Sequence, residues 1–292
     1  MIEQSVSEPL FVGVDGGGTG CRARIENAEG VVYGSGLAGP AATRLGVERS
    51  WASIKAAFLA AAEEAGLSTE RITRLRAGIG VAGLSRRGAL EAFQQMQHPF
   101  SSIVFASDVV TACVGAHSGR DGGIVIVGTG SSGVARVNGR EFRVGGYGFP
   151  ISDEGSGADL GLKAIQLALR AFDDRHEWTS LLREVMSRFQ NDPPEVVSWM
   201  DRATATDYAT FAPMVLRHAD LGDSAARRIV QSAAESVDGL VRALLVAGAP
   251  RIALLGGLSS PLEAWLAPDV RRRLSPAEGD AITGAILLAS GE

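Results

Sequence analysis

The chain has 292 residues, 46% of them hydrophobic and 21% charged, with a net charge of −5. That length points to two domains and that composition to a globular protein, while the acidic balance argues against nucleic acid or an anionic membrane as a partner. Two cysteines, Cys21 and Cys113, and four scattered histidines offer no metal-ligand spacing, and so few cysteines fit a reducing cytoplasm.

In chain order, the opening MIEQSVSEPL carries acids and lacks the apolar core of a secretory signal, and no run of about 18 apolar residues predicts a membrane span. LFVGVD at 10–15 reads as a buried strand. CRARIENAEG alternates up to a turn at Asn27–Gly30, and VVYGSGLAG reads as a third strand, so the three form an antiparallel meander. Residues 46–67 carry apolar side chains at helical spacing and end at Gly66, a C-cap residue. Then come a glycine-rich strand at 74–84, a helix at 86–97, a strand at 101–107 and a helix at 108–119. Residues 122–148 repeat the opening plan, with a strand, a Gly/Thr turn, a second strand, an Asn138–Gly139 hairpin turn and a third strand. Residues 157–249 read as mostly helical, with breaks near Asp173, Asp192–Pro194 and Gly222. A late strand, RIALLGGLSS, and a terminal helix at 279–290 complete the chain. Trp51, Phe58, Phe93 and Trp199 fall at core spacings, and the RRRL cluster at 271–274 reads as a solvated face. Cys21 reads as a strand residue rather than a reactive thiol.

Two halves, each β-first and α-after, predict two α/β domains facing across a cleft, the usual place for a ligand. The glycines of DGGGT (Asp15–Thr19) allow a backbone to approach an anion closely, permit positive φ and can form an anion nest. Thr19 adds a hydroxyl. Asp15 beside a phosphate requires a cation between them, which points to Mg2+. GTGSS, from Gly128, repeats the chemistry with the hydroxyls of Thr129, Ser131 and Ser132. Each loop taken singly also reads as a tight hairpin without a ligand. Neither loop precedes a helix as a Walker loop or a dinucleotide fingerprint requires.

Taken together in order, VDGGGT, GTGSS, GGYGFPISDEGSGADLG and LLGGLSS resemble the N-acetylglucosamine kinase group, bacterial glucosamine kinases included, of the BadF/BadG/BcrA/BcrD ATPase family within the actin-like ATPase and sugar kinase superfamily. The motifs run from about residue 11 to 284. The resemblance implies two actin-like, ribonuclease H-like domains, 1–118 with the terminal helix 279–292, and 119–278 with a helical insertion. It implies an ATP-dependent kinase acting on the 6-hydroxyl of N-acetylglucosamine or glucosamine, with ATP and Mg2+. In such an enzyme Gly16, Gly17, Gly18 and Thr19 contact the β- and γ-phosphates, Asp15 orients Mg2+ and its waters, Thr129 and Gly130 contact phosphate, and Gly256 and Gly257 lie against adenosine. Asp108, after the strand SIVFAS, becomes the catalytic base and touches the sugar, as does Asp153, with Glu154 beside it. From the residues alone, Asp108 or Ser107 caps a helix, and Asp153 is an acid at a helix N-terminus.

One departure is Ala42, which stands where related kinases carry a sugar-binding asparagine. Either Thr43 or Arg44 compensates, or the sugar differs and the chain is another hexose kinase. Other classes compete. A BadF-type activator needs cysteines that bridge an iron–sulfur cluster between subunits, and Cys21 and Cys113 form no such motif. A sugar sensor needs a DNA-binding extension, and about nine residues before the first strand are too few for a helix-turn-helix. The resemblance allows a homodimer. Closure on the sugar, with glycine hinges at 145–148 and 155–157, is the expected motion.

Overall fold

In the computed structural model, which describes residues 8–291, the chain divides into two compact units. One holds the residues up to Asp121 and those from Ala277 onward; the other is Gly122–Pro276. The opening stretch read as no secretory signal lies, through residue 7, outside the described residues.

In the first unit the central strand β1 (Leu10–Gly16) is apolar along nearly its whole length because it is covered on both faces. It pairs antiparallel with β2 (Cys21–Asn27), and β2 pairs antiparallel with β3 (Val32–Ala38). The turn between β2 and β3 closes on Asn27, whose side-chain Oδ1 accepts the N–H groups of Glu29 and Val31. On the other side β1 pairs in parallel with β4 (Arg76–Val81), and β4 with β5 (Ser102–Ser107), giving the order β3-β2-β1-β4-β5. The helix Val47–Glu64 covers one face with Trp51, Ile54, Phe58 and Ala61, a 3–4 spacing, and Gly66 takes a left-handed φ of 63° just past its end. The helices Asp108–Ala116 and Ala281–Ser290 pack on the other face, where Ile282 and Ile286 meet Phe11.

The second unit repeats the plan. Strands β6 (Gly122–Val127), β7 (Ser131–Val137), β8 (Arg140–Gly145) and β9 (Ile252–Leu255) lie in the order β8-β7-β6-β9. Asn138 and Gly139 both have positive φ, which matches the twist of the β7–β8 hairpin. Among the described residues this sheet has no counterpart of β5. Its β9 edge is flanked instead by Arg273–Ser275, through Ile252 N–H to Arg273 O (3.2 Å) and Ser275 N–H to Ile252 O (2.8 Å). The helices Gly157–Phe172, Ser180–Ser187, Pro193–Met200, Ala205–Ala209, Ala212–Asp220 and Ser224–Val246 fill the interval between β8 and β9. Breaks fall at the three expected places and also near Asp201 and Thr210, which the sequence reading passed over. Trp199 packs in an aromatic group with Phe189, Tyr208 and Phe211. The chain passes between units at Asp121–Gly122 and at Pro276–Ala277, so the glycine stretches expected as hinges, 145–148 and 155–157, both lie inside the second unit. Among the described residues no helix is long and apolar enough to cross a membrane.

Candidate active site

The residues singled out in the sequence form two groups, one in each unit. In the first, the register sets Asp15 beside Gly80 and Gly16 beside Val81, and then Gly80 beside Ala106 and Val81 beside Ser107. β1, β4 and β5 therefore end level, with the ends of β1 and β5 about 10 Å apart at two strand spacings. Ligands of open α/β sheets bind outside such carboxyl ends. Asp108 follows β5 directly as the first residue of its helix and is partly buried. Ser107 occupies the cap position, but its side chain makes no capping bond, so the capping role considered for it is unfilled.

The Gly16–Gly20 turn is pinned from beneath. Gly17 N–H donates to Gly20 O (2.9 Å), Ala41 N–H to Gly17 O (2.9 Å) and Ala82 N–H to Gly16 O (2.8 Å). None of Gly16, Gly17 and Gly18 has positive φ, so backbone freedom is not why they are glycine. At Gly16 and Gly17 the reason is space. A Cβ on Gly16 would lie 3.0 Å from Gly80 O and 3.1 Å from the Ala41 Cβ, and one on Gly17 3.3 Å from Gly20 O. Among the described residues, the N–H groups of Gly18 and Thr19 meet no acceptor. They present two successive donors at the tip of the turn.

Asp15 accepts a hydrogen bond from Arg22 Nη2 at 2.7 Å across the β1–β2 pair. No cluster of three His, Cys, Asp or Glu side chains among the described residues forms a metal cage. One partly buried carboxylate nevertheless fits Mg2+, which keeps most of its waters and leans on substrate phosphates. Burial, and then the charge of Asp15, push the Cys21 thiol up to about 12, so it stays protonated and inert.

Ala42 is buried and bridges to Ala82, and its carbonyl accepts from Ser50 Oγ (2.7 Å). Thr43 Oγ1 is directed to Gly83 O (3.0 Å) and Arg44 Nη2 to Gly18 O (3.2 Å). Arg44 thereby places a guanidinium against the glycine turn. Nothing local in the sequence marks this contact, because it joins segments more than twenty residues apart.

In the second unit the Gly128–Ser131 turn repeats this geometry. Gly128 N–H donates to Gly130 O (2.9 Å). The first helical N–H groups of Gly157–Phe172 are tied to the turn, Gly157 to Gly128 O (2.7 Å) and Ala158 to Thr129 O (3.2 Å). The N–H groups of Thr129 and Gly130, like those of Gly18 and Thr19, meet no acceptor among the described residues. Ser131 Oγ is already engaged with Glu154 O (2.7 Å).

Asp153 adopts a left-handed φ of 67°. Burial and the nearby Glu154 raise its carboxyl, opposed by hydrogen bonds from the backbone N–H groups of Gly148, Phe149 and Ser131, and the net direction is upward. Its Oδ2 would lie 2.6 Å from a Cβ placed on Gly130. Asp153 thus lies against the second turn, while Glu154 is exposed, with Ser152 Oγ 3.5 Å from its Oε2. Asp153 is not the acid at the following helix N-terminus; Ser156 caps that helix by accepting Asp159 N–H (3.2 Å). Gly256 has φ 95°, and its Cβ would strike Val127 O at 2.3 Å, while Gly257 faces open space. Leu258 N–H closes this loop onto Val127 O (3.0 Å).

The sequence profile described as the BadF/BadG/BcrA/BcrD ATPase family matches residues 12–289. The chain is 40% identical to the glucosamine kinase GspK of Vibrio cholerae over 96% of its own length and 95% of the relative's. It is 29% identical to an N-acetylmuramic acid/N-acetylglucosamine kinase of Clostridium acetobutylicum, over 80% of this chain and 78% of that one. Among solved structures, a candidate N-acetylglucosamine kinase of Chromobacterium violaceum superposes with a TM-score of 0.86 at 36% identity, covering 97% of this chain and 99% of that one. A ROK family glucokinase of Streptomyces griseus, solved with glucose and AMPPNP, shares the fold at a TM-score of 0.55 and 18% identity, covering 97% of this chain and all of that one.

Proposed function

The chain belongs to the BadF/BadG/BcrA/BcrD ATPase family, and from that premise we propose that it is a cytoplasmic ATP-dependent amino-sugar kinase that phosphorylates the 6-hydroxyl of glucosamine or N-acetylglucosamine. The observation that carries this reading is the matched pair of turns, each with two successive unpartnered N–H groups, together with a carboxylate at the end of the parallel strand β5.

Each residue then has a task. The N–H groups of Gly18 and Thr19, and those of Thr129 and Gly130, receive phosphate oxygens without reorganising, because their turns are already tied from below. Asp15 would hold Mg2+ and its waters, whose chemistry when bound is to neutralise charge on the phosphates. Arg22 fixes the Asp15 carboxylate in one orientation. Gly256, whose positive φ and close approach to Val127 O shape the loop, and Gly257, which opens onto empty space, would lie against adenosine. Asp108 orients the sugar hydroxyl and accepts its proton as the new O–P bond forms and ADP departs. Asp153 spends three of roughly four carboxylate acceptor positions on backbone N–H groups. The remaining one is available to a sugar hydroxyl, and Glu154 stands beside it.

The activator class loses its chemical basis. Cys21 and Cys113 are buried in a strand and a helix, where neither can reach a cluster shared with a second chain.

The test is ADP release in a coupled assay with glucosamine, N-acetylglucosamine or glucose, using Asp108→Asn as the control. Release that depends on one amino sugar, and falls by about 10²–10⁴ in the variant, is the expected result. Release that needs no sugar and is unchanged in the variant would make Asp108 structural and the protein a plain ATPase.

A further inference from the structure

A groove of about 260 Å³ lies in the second unit between the helices Gly157–Phe172 and Ser224–Val246, away from the turns described above. Lys163, Gln166, Leu167 and Arg170 line it from the first helix, at positions i, i+3, i+4 and i+7, and Arg228 and Ser232 from the second. Three cations converge there in a protein whose net charge is −5.

Their pairing leaves the groove positive. Lys163 Nζ is shared between Asp159 Oδ2 (2.8 Å) and Ser232 Oγ (3.2 Å). Arg228 Nη2 lies 2.8 Å from His176 Nε2, while His176 Nδ1 lies 2.7 Å from the carbonyl of Glu177. A carbonyl only accepts, so Nδ1 carries the proton and Nε2 accepts from Arg228. The guanidinium is therefore held by a neutral ring, which fixes its direction without cancelling its charge. Arg170 has no side-chain partner among the described residues. Three positive charges against the single carboxylate of Asp159 leave a balance of about two, which matches a phosphate dianion. Gln166 and Ser232 add neutral hydrogen-bonding groups, and Leu167 an apolar wall, the lining that the hydroxyls and carbon skeleton of a small ester would meet.

We propose that this groove is a second ligand site, one that binds a small phosphate monoester of the sugar-phosphate type. It is also tied to the stretch that carries Asp153. Asp159 Oδ2, which holds Lys163, accepts the N–H of Gly155 as well (2.8 Å), two residues beyond Asp153. An anion that draws Lys163 toward itself loosens the carboxylate that holds Gly155.

The test is isothermal titration of the wild-type chain with glucose 6-phosphate and, separately, with inorganic phosphate, followed by the same titrations of Arg170→Gln and Arg228→Gln. Arg170 is exposed and unpartnered, so R170Q keeps the fold, which its melting temperature checks. Binding is read without turnover, so the result is independent of the kinase activity proposed above. The expected result is binding of the ester that weakens about tenfold for each charge removed. Equal binding of ester and inorganic phosphate, both weakened by the variants, would keep the anion site but overturn the ester as its ligand. Absence of binding up to about 10 mM, or binding untouched by both substitutions, would overturn the site itself.

Discussion

At the scale of single residues, the candidate site depends on carboxylates and glycines set against one another at short range. Gly130 shows this most directly. A methyl group there would sit 2.6 Å from Asp153 Oδ2, a carboxylate already fastened by three N–H groups. Gly130→Ala must expel that carboxylate or break the turn. The expected outcome is a loss of about 1–3 kcal/mol in stability and at least a tenfold fall in kcat/KM, measured by urea unfolding and steady-state kinetics. Gly257→Ala, by contrast, meets no atom of the chain. Its expected effect is confined to nucleotide KM, with stability unchanged within about 0.5 kcal/mol; a matching loss of stability would show that Gly257 serves the fold rather than a ligand.

At the scale of elements, close backbone approach holds the Asp108 helix in place. The terminal helix Ala281–Ser290 crosses Asp108–Ala116 with Gly284 and Gly115 at the contact. A Cβ on Gly284 would lie 1.8 Å from Thr111 O, and one on Gly115 1.9 Å from Asp280 O. Gly284→Ala therefore forces two helices apart and tilts the element that carries Asp108. A destabilisation of about 1–3 kcal/mol, with a reduced kcat, is expected from denaturant titration and turnover. Gly239, in the middle of Ser224–Val246, has open space around its Cβ position. Gly239→Ala removes a helix-weakening glycine without a clash and should stabilise by about 0.5–1 kcal/mol in the same titration.

At the scale of the whole molecule, acid sensitivity follows from carboxylates that tie helices together. Asp223 caps Ser224–Val246 through the N–H groups of Ala225 and Ala226 (both 3.0 Å). It also holds Ser180 Oγ (2.8 Å) and Leu181 N–H (2.9 Å) of the helix Ser180–Ser187. Burial raises its carboxyl, but these bonds outweigh burial and bring it down to about 2. Its folded value lies below its unfolded one, so its contribution is complete above about pH 4 and is lost as pH falls toward 2. Asp223→Ala should cost about 0.5–2 kcal/mol at neutral pH, as a lost helix cap does, and the gap to wild type should close between pH 4 and 2 in urea titrations. A gap that stays constant over that range would mean that the carboxylate charge contributes nothing. Asp153 and Asp238, both raised chiefly by burial, act with the opposite sign and become less unfavourable as pH falls.

The sequence alone determined the repeated plan. A strand running into a glycine turn and then a meander was legible twice, because alternation, the Asn27–Gly30 and Asn138–Gly139 turns and the helical spacing of Val47–Glu64 are all local signals. It also placed Asp108 at the junction of a strand and a helix. Only the tertiary structure decided which partners these residues have. Arg22 lies on Asp15, Arg44 on Gly18, Asp153 against Gly130, and Gly284 against Thr111, and each pair joins elements whose separation in sequence carries no period to read. The three glycines of the first turn make the same point. Their run announced a close backbone approach, but that Gly16 and Gly17 serve space rather than backbone freedom depended on Gly80, Ala41 and Gly20 lying beneath them. Patterns along a chain report which face of an element is buried; the identity of what buries it is set by long-range packing.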